Sequence, residues 1–388
     1  MAHTVVIAPD SFKGTIAAAD AAAAIARGWR AVAPHDVVHL MPMADGGEGT
    51  VDAFEAAVAG ARRIPVSVIG PENTAVLTSW LLLPPSADAP QGTGVVELAS
   101  TSGIELLGTP PRLRALDAHT RGFGEAIAAA LAHGVSRLVL GIGSSASTDG
   151  GAGMLAALGA RLLDADGEDI VDGGRGLADV AEVDLTGMAA LPPGGVHVLT
   201  DVTNPLLGVR GAAAVFGPQK GASVAEIAEL DGSLARFAAI IDPVVSGSDA
   251  RQPNGGVELA ALSGAGAAGG TGFALLLWGA RLAPGSDAVA ELLGLREAVA
   301  SSTAVITGEG SFDGQSAAGK VPAHVSAIAA AESVPVALVA GRITADADTS
   351  AFAASVSLTE LAGSAEAAMS DSTHWLVEAG AALARALA

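Results

Sequence analysis

The chain has 388 residues and no cysteine, and at about 100–200 residues per domain it can form two domains with sizeable cores. Disulfide scaffolds, thiolate metal sites and cysteine nucleophiles are excluded, and a reducing cytoplasm fits this composition. Lys and Arg total 20 against 41 Asp and Glu, so the net charge of −21 disfavours nucleic acid and anionic membrane surfaces as partners.

Alternating strand and helix patterns mark both ends of the chain. Short apolar strands between amphipathic helices are typical of a parallel sheet that is covered on both faces. The predicted elements are, in chain order, a strand at 4–8, an Ala-rich helix to about 33, a strand at 37–40, a strand at 304–307, a helix from about 321, a strand at 336–339 and a last helix from about 364 to the end.

The middle of the chain differs from its ends in having shorter predicted strands and more Pro and Gly between them. Pro-Pro and Gly-Gly pairs punctuate shorter strands, of which 137–140 and 196–199 are the clearest, and residues 264–272 are Gly-rich and nearly featureless. We therefore predict an α/β fold with two α/β domains. A Rossmann-like (flavodoxin-like) parallel-sheet domain is built from residues 1–70 and 286–388, and a second α/β domain, residues 71–285, is inserted between them.

Two loops carry polar residues to the carboxyl edge of the first predicted sheet, where open α/β sheets bind ligands. Asp10, Ser11 and Lys13 follow the first strand, and Lys13 before a glycine at a helix start can pair a phosphate or a carboxylate. The alternative is a capping loop with a solvated lysine. Asp45 and Glu48 follow the second strand, and the glycines between them, Gly46 and Gly47, indicate backbone held close to a ligand.

Two loops in the middle of the chain have weaker signals. Residues 141–153 are rich in Gly and Ser, so Ser144 and Ser145 belong either to a phosphate cradle or to an ordinary strand-to-helix turn. Asp201, Asn204 and Lys220 are exposed by the predicted loops after strand 196–199. For Asp201 the alternative is an Asx turn, and for Lys220 it is a solvated loop cation.

The loop after strand 304–307 contains Gly308, Glu309, Gly310 and Asp313 and ends at Lys320. Residues 314–320 fit the P-loop pattern G-x-x-x-x-G-K, but the next residue is Val where a P-loop needs Ser or Thr to hold Mg²⁺. A metal at this loop would need Glu309 or Asp313 as its ligand instead.

Taken together these loops closely resemble those of the type 1 glycerate kinases, and the resemblance spans nearly the whole chain. The most specific matches are APDSFKG at 8–14, MADGGEGT at 43–50, DVTNPLLG at 201–208 and VFGPQKG at 215–221. The resemblance implies phosphorylation of D-glycerate by ATP with Mg²⁺, at the 2-hydroxyl, to give 2-phosphoglycerate and ADP in an interdomain cleft. Two departures stand out: residues 143–149 read GSSASTD where the family commonly has GGSATND, and Ser311 stands where it commonly has Arg or Lys.

Phosphoryl transfer needs cations on the transferred oxygens, Mg²⁺ on carboxylates and a base for the acceptor hydroxyl. Lys13 and Lys220 are the candidate cations. The expected catalytic residues are Lys13, Asp45 and Asp201, and the expected metal ligands are Glu48, Glu309 and Asp313. The expected substrate- and phosphate-binding residues are Asp10, Ser11, Gly46, Gly47, Ser144, Ser145, Asn204, Lys220, Gly308, Gly310 and Lys320.

Three alternative functions remain compatible with the sequence. They are a kinase for a related small hydroxy acid, a 3-phospho product, and a non-catalytic organic-acid sensor on the same fold. No apolar run reaches the about 20 residues of a membrane span, and the first ten residues show no targeting pattern. We expect a cytoplasmic monomer or homodimer whose partners are D-glycerate and ATP, with neither nucleic acid nor membrane among them.

Overall fold

The computed structural model describes residues 3–12, 14–246, 256–314 and 321–387. The chain forms two compact units. Unit 1 comprises Met1–Asp45, Gly49–Ala59 and Gly285–Ala388, and unit 2 comprises Gly46–Glu48 and Gly60–Pro284. Among the described helices, none is both long enough and apolar enough to cross a membrane.

In the described ranges the strands are β1 (Thr4–Pro9), β2 (Val37–Leu40), β3 (Arg62–Ile69), β4 (Ala75–Leu83), β5 (Thr93–Glu97), β6 (Arg137–Gly141), β7 (Arg161–Leu163), β8 (Glu182–Asp184), β9 (Val196–Leu199), β10 (Arg281–Ala283), β11 (Ala304–Phe312), β12 (Val336–Ile343) and β13 (Ala354–Ser357). The α-helices are α1 (Ala18–Val32), α2 (Thr50–Ala57), α3 (Ala99–Ser102), α4 (Arg121–His133), α5 (Ala152–Ala157), α6 (Ala212–Phe216), α7 (Val224–Ser246), α8 (Gly256–Ala261), α9 (Ala267–Trp278), α10 (Gly285–Leu293), α11 (Leu295–Ala300), α12 (Val321–Ala331), α13 (Leu358–Ala362), α14 (Ala365–Ser370) and α15 (Ser372–Leu387).

Unit 1 contains a five-stranded sheet in the order β2-β1-β11-β12-β13, with every neighbouring pair parallel. Relabelled along this unit the order is 2-1-3-4-5, which is the flavodoxin-like arrangement. The prediction of a parallel sheet built from both ends of the chain is confirmed. In such a sheet every strand ends at the same edge, so the loops after β1, β2 and β11 share that edge.

The first and last long helices pack backbone to backbone in unit 1, which ties the two chain ends into one unit. A Cβ on Gly28 of α1 would lie 1.9 Å from the Val377 carbonyl oxygen of α15, and a Cβ on Gly380 would lie 2.1 Å from the Ile25 carbonyl oxygen. Larger residues at positions 28 and 380 would force the helices apart. The buried residues around this contact are almost all aliphatic, as the low aromatic content of the sequence requires.

Unit 2 contains a six-stranded mixed sheet in the order β10-β9-β6-β5-β4-β3. Strands β5, β6, β9 and β10 are parallel, whereas β3, β4 and β5 form antiparallel pairs. The predicted first domain segment extends to residue 70, but residues 61–70 belong to unit 2. Strand β3 pairs with β4 along its whole length, from Arg62 with Leu82 to Ile69 with Ala75, and therefore belongs to unit 2.

Two predicted boundaries also differ from the structure. Strand β11 does not end at residue 307, because its pairing with β12 continues from Gly308 with Val339 to Phe312 with Ile343. The last helix is divided, since Asp371 leaves helical geometry between α14 and α15 and its carboxylate accepts the His374 N–H at 3.1 Å. Side-chain capping of this kind competes with continuation of a helix.

Candidate active site

The carboxyl edge of the unit 1 sheet holds the acidic residues expected from the sequence. The Asp10 N–H donates to the Gly308 carbonyl at 2.8 Å, which fixes the end of β1 beside β11. The Asp10 carboxylate accepts the Ser11 N–H at 2.7 Å. The Met43 N–H donates to the Pro9 carbonyl at 2.9 Å, so the chain that leads to Asp45 follows the same edge.

The β11 segment supplies Glu309 and Asp313 to this edge. Glu309 is only 6% exposed and pairs in register with Ala340, while Asp313 follows the last residue of the strand. Gly308 and Gly310 were expected in a phosphate-binding loop, but both lie within β11. A Cβ on Gly308 would lie 2.3 Å from the Val339 carbonyl oxygen, so the packing of neighbouring strands already requires glycine there.

Two expected cations, Lys13 and Lys320, lie outside the described residues. Among the described residues near Lys13, the Phe12 and Ile16 backbones form a bridge and the Thr15 N–H donates to the Phe12 carbonyl at 2.9 Å. Gly14 has a φ of +78°, a value that glycine adopts without strain. The roles of Lys13 and Lys320 stay predictions from the sequence.

In unit 2 the Gly46–Glu48 segment lies against the ends of two strands. The Gly143 N–H donates to the Gly46 carbonyl at 2.9 Å, just after β6. A Cβ on Gly46 would lie 2.2 Å from the Leu199 carbonyl oxygen at the end of β9, and a Cβ on Gly143 would lie 2.4 Å from the Gly47 Cα. Only residues without a Cβ can make these approaches, so the contact brings Glu48 to the loop after β6.

A cavity of about 230 Å³ lies at this edge of unit 2. Its polar lining includes Glu48, Glu97 and Ser144. Glu97 is the last residue of β5 and is only 5% exposed. Glu97 is not among the residues predicted from the sequence, although it too is a polar residue at the carboxyl end of a parallel strand, which is the rule that selects the other loops.

Ser144 adopts a left-handed backbone conformation with a φ of +58°. This position is one of the two departures described above, where the resemblance leads us to expect glycine. A non-glycine residue in this region costs about 1–2 kcal/mol. The Ser144 carbonyl accepts the Ile104 N–H at 2.9 Å, which holds the strained residue in place.

We expect Ser144→Gly to raise the free energy of unfolding by up to about 1 kcal/mol, because glycine relieves the strain but loses more entropy on folding. Ser144→Ala is the control, since alanine keeps the strain and removes only the hydroxyl. Urea denaturation of the two variants and the parent measures the difference. Equal stability of the Gly and Ala variants would contradict the assigned strain.

Lys220 is not the solvated loop cation of the alternative reading. It is 2% exposed, and its ammonium donates to the Ser145 hydroxyl at 2.8 Å and to the Ser147 carbonyl. Burial lowers the pKa of the ammonium to about 7, and the negative charge of Asp149 raises it only in part. Lys220 therefore holds Ser145 and its loop in place from within the core.

The depressed pKa of Lys220 predicts a pH-dependent stability. Its ordinary pKa is 10.5, so between about pH 7 and 10 the unfolded chain carries a proton at Lys220 that the folded chain lacks. Stability conferred through this group therefore rises with pH, by at most about 1.4 kcal/mol per unit. Relative to Lys220→Met, the parent should gain unfolding free energy between about pH 7.5 and 9.5. Parallel stability curves for the two proteins would contradict this.

Asp149 organises the backbone of the same loop. It is fully buried, and its carboxylate accepts from the Thr120 N–H at 2.8 Å, the Thr120 hydroxyl at 2.7 Å, the Gly151 N–H at 3.1 Å and the Gly153 N–H at 3.2 Å. These bonds hold the turn that leads from β6 into α5. The loop is thus built around a buried carboxylate and a buried ammonium.

The Gly-rich segment at 264–272, nearly featureless in sequence, packs against this loop in the structure. The Gly150 N–H donates to the Gly269 carbonyl at 3.0 Å, and a Cβ on Gly269 would lie 2.0 Å from the Ser147 carbonyl oxygen. A Cβ on Gly270 would lie 2.8 Å from the Gly150 Cα. Glycine in this segment lets the two backbones touch.

Asp201 is exposed and follows β9 after Thr200, whose N–H donates to the Ala283 carbonyl at 3.1 Å. The side-chain amide of Asn204 donates to the Arg210 carbonyl at 2.8 Å, so it closes its own turn. Asn204 therefore shapes the loop that presents Asp201, in addition to any part in binding.

The residues that the structure describes contain no group of three or more His, Asp or Glu placed to hold a metal ion. Of the expected metal ligands, Glu309 and Asp313 belong to unit 1 and Glu48 belongs to unit 2. Mg²⁺ is commonly held by one or two carboxylates together with substrate phosphates, so oxygen donors such as Glu309 and Asp313 fit this ion chemically.

The departure at Ser311 has a counterpart on the adjacent strand. Ser311 of β11 is the register partner of Arg342 of β12, and the Arg342 guanidinium donates to the Ser311 hydroxyl at 3.3 Å. A cation therefore stands beside the position where the resemblance leads us to expect one.

Comparison with known proteins identifies the family. The model of the glycerate kinase family matches residues 5–388. The chain is 43% identical over 344 residues to glycerate 2-kinase of Escherichia coli K12, covering 88% of this chain and 86% of that protein. It is 42% identical over 343 residues to glycerate kinase of Halalkalibacterium halodurans, with the same two shares.

A solved structure agrees with this assignment. The crystal structure described as glycerate kinase 2 of Salmonella typhimurium LT2 superimposes with a TM-score of 0.84 at 39% identity, covering 100% of this chain and 98% of that chain. The match extends across both α/β units and every loop discussed above. The chain therefore belongs to the glycerate kinase family.

Proposed function

We propose that the protein transfers the γ-phosphoryl group of ATP to the 2-hydroxyl of D-glycerate and releases 2-phosphoglycerate and ADP. The observation that carries this proposal is the 43% identity, over most of both chains, to a relative named glycerate 2-kinase. The structure supports it by bringing several of the resemblance-bearing loops to the carboxyl edges of the parallel strands in each unit.

In this reaction the 2-hydroxyl oxygen bonds to the γ-phosphorus as the bond from that phosphorus to the β–γ bridging oxygen breaks. The hydroxyl proton passes to a base, for which we propose Asp201. Lys13 stabilises the charge on the transferred oxygens, and Asp45 orients the reacting groups. Ser144 and Ser145, the latter held by the buried Lys220, present hydroxyl and N–H donors to substrate oxygens.

Mg²⁺, when bound, would neutralise charge on the nucleotide phosphates. We propose Glu309 and Asp313 as its ligands in unit 1, because the buried carboxylate of Glu309 within β11 and the carboxylate of Asp313 just after β11 offer the oxygen donors that it prefers. Glu48, the third expected ligand, lines the cavity with Glu97 in unit 2, and its part in metal binding stays a prediction from the sequence.

The test is a coupled assay of ADP release with a panel of small hydroxy acids, with and without Mg²⁺, followed by phosphorus NMR of the product. We expect ADP release with D-glycerate, dependence on Mg²⁺, and the 2-phospho isomer. A signal from the 3-phospho isomer alone would overturn the position of transfer but not the kinase activity. Preference for another acceptor would overturn the substrate, and no ADP with any acceptor would favour a sensor.

A further inference from the structure

Arg342 is set apart from the other cations of unit 1 by its position. Among the described Arg and Lys residues of that unit it alone lies at the carboxyl end of a strand, as the penultimate residue of β12. The others, Arg27, Arg30, Arg296 and Arg385, lie on helices α1, α11 and α15. This end of a parallel sheet is where open α/β folds bind their ligands.

The Arg342 guanidinium forms a hydrogen bond, but no carboxylate of the described residues neutralises its charge. Its contact is with the Ser311 hydroxyl at 3.3 Å, and it forms no ion pair with a carboxylate of the described residues. Arg296 of the same unit, by contrast, meets the Glu332 carboxylate at 3.4 Å. Arg342 is also exposed, so its charge faces solvent in a protein whose net charge is −21.

Glycines precede both members of this pair along their strands. Gly310 and Gly341 directly precede Ser311 and Arg342, and a Cβ on Gly341 would lie 2.4 Å from the Gly310 carbonyl oxygen. The two strands therefore approach closely, and of the pair that follows, Ser311 is half-buried and Arg342 is exposed. The carboxylates Glu309 and Asp313 lie two positions to either side of Ser311 along the chain.

A guanidinium presents a planar fork of donors that matches the oxygens of a phosphate, and its charge does not titrate near neutral pH. The Ser311 hydroxyl accepts from Arg342 and keeps its own proton to donate. We propose that Arg342, oriented by Ser311, binds the phosphate groups of the nucleotide. This inference rests on the proposed use of ATP, and it assigns a residue of β12 to the nucleotide side of the reaction.

The test compares Arg342→Met with Arg342→Lys and with the control Arg385→Met, which removes an exposed arginine of α15. Steady-state kinetics give the KM values for ATP and D-glycerate, and calorimetry gives the Kd for ADP at several salt concentrations. For Arg342→Met we expect the KM for ATP and the Kd for ADP to rise roughly tenfold or more. The KM for D-glycerate should stay within about twofold of the parent.

Two further readouts separate phosphate binding from a structural role. The affinity of Arg342→Met for ADP should depend less on salt than that of the parent, because one ion contact is lost. Arg342→Lys should be intermediate, since it keeps the charge but not the fork. Unchanged ADP affinity and salt dependence, or an effect confined to D-glycerate, would overturn the inference. A parent that binds neither ATP nor ADP would instead contradict the proposed function.

Discussion

Replacing Asp149 by Asn should destabilise the protein by about 3 kcal/mol or more. The carboxylate oxygens accept four hydrogen bonds in a fully buried position, three of them from backbone N–H groups of Thr120, Gly151 and Gly153. An amide has one oxygen, so its NH₂ group would face an N–H donor. The substitution also removes the negative charge that favours the Lys220 ammonium.

The matched control is Asp164→Asn. The Asp164 carboxylate also accepts backbone N–H groups, from Asp166 at 2.9 Å and Glu168 at 3.0 Å, but in a solvent-exposed turn. Water can replace those bonds, so we expect a loss of less than about 1 kcal/mol. Urea denaturation of both variants measures the contrast. If Asp149→Asn were no less stable than Asp164→Asn, the buried carboxylate would not organise this loop.

The sequence predicted site residues best where they follow strands of a parallel sheet, because all such strands end at the same edge. In parallel sheets polar loops after strands share an edge, and this rule located Asp10, Asp45 and Asp313 at the carboxyl edge of the unit 1 sheet, whereas Glu309 lies within β11 and not in the loop after it. The same rule would have located Glu97, but β5 went unrecognised because Pro and Gly residues around it obscured the strand pattern. The boundary near residue 60 was missed for a related reason, since only the pairing of β3 with β4 assigns it.

What the sequence could not provide were contacts between distant segments. Lys220 reads as a loop cation in its local sequence, and only the fold brings it to Ser145, 75 residues away. No sequence motif marks Arg342, and its candidate role follows from the strand register that places it beside Ser311. The role of the Gly-rich segment at 264–272 likewise depends on a contact between distant residues, that of Gly269 with Ser147.

Replacing Asp201 by Asn should lower kcat by about 10²-fold or more, with a KM for D-glycerate near that of the parent. Asp201 follows β9 directly after Thr200, and the Asn204 amide closes the next turn onto Arg210, so a short carboxylate has little freedom. The Gly46–Glu48 segment touches the end of the same strand at Leu199. Asparagine keeps the shape and the hydrogen-bonding capacity, but it cannot accept the hydroxyl proton.

Asp166→Asn is the control for this substitution, because Asp166 is an exposed turn residue of the same unit with no proposed role. A fall in kcat specific to Asp201→Asn, unchanged by excess Mg²⁺, is the result expected of a base. If excess Mg²⁺ restored activity, Asp201 would belong to the metal and Asp45 would become the preferred base. Kinetics equal to those of the parent and of Asp166→Asn would leave Asp201 as an Asx-turn residue outside the reaction, because a carboxylate that accepts the proton cannot be lost without a change in turnover.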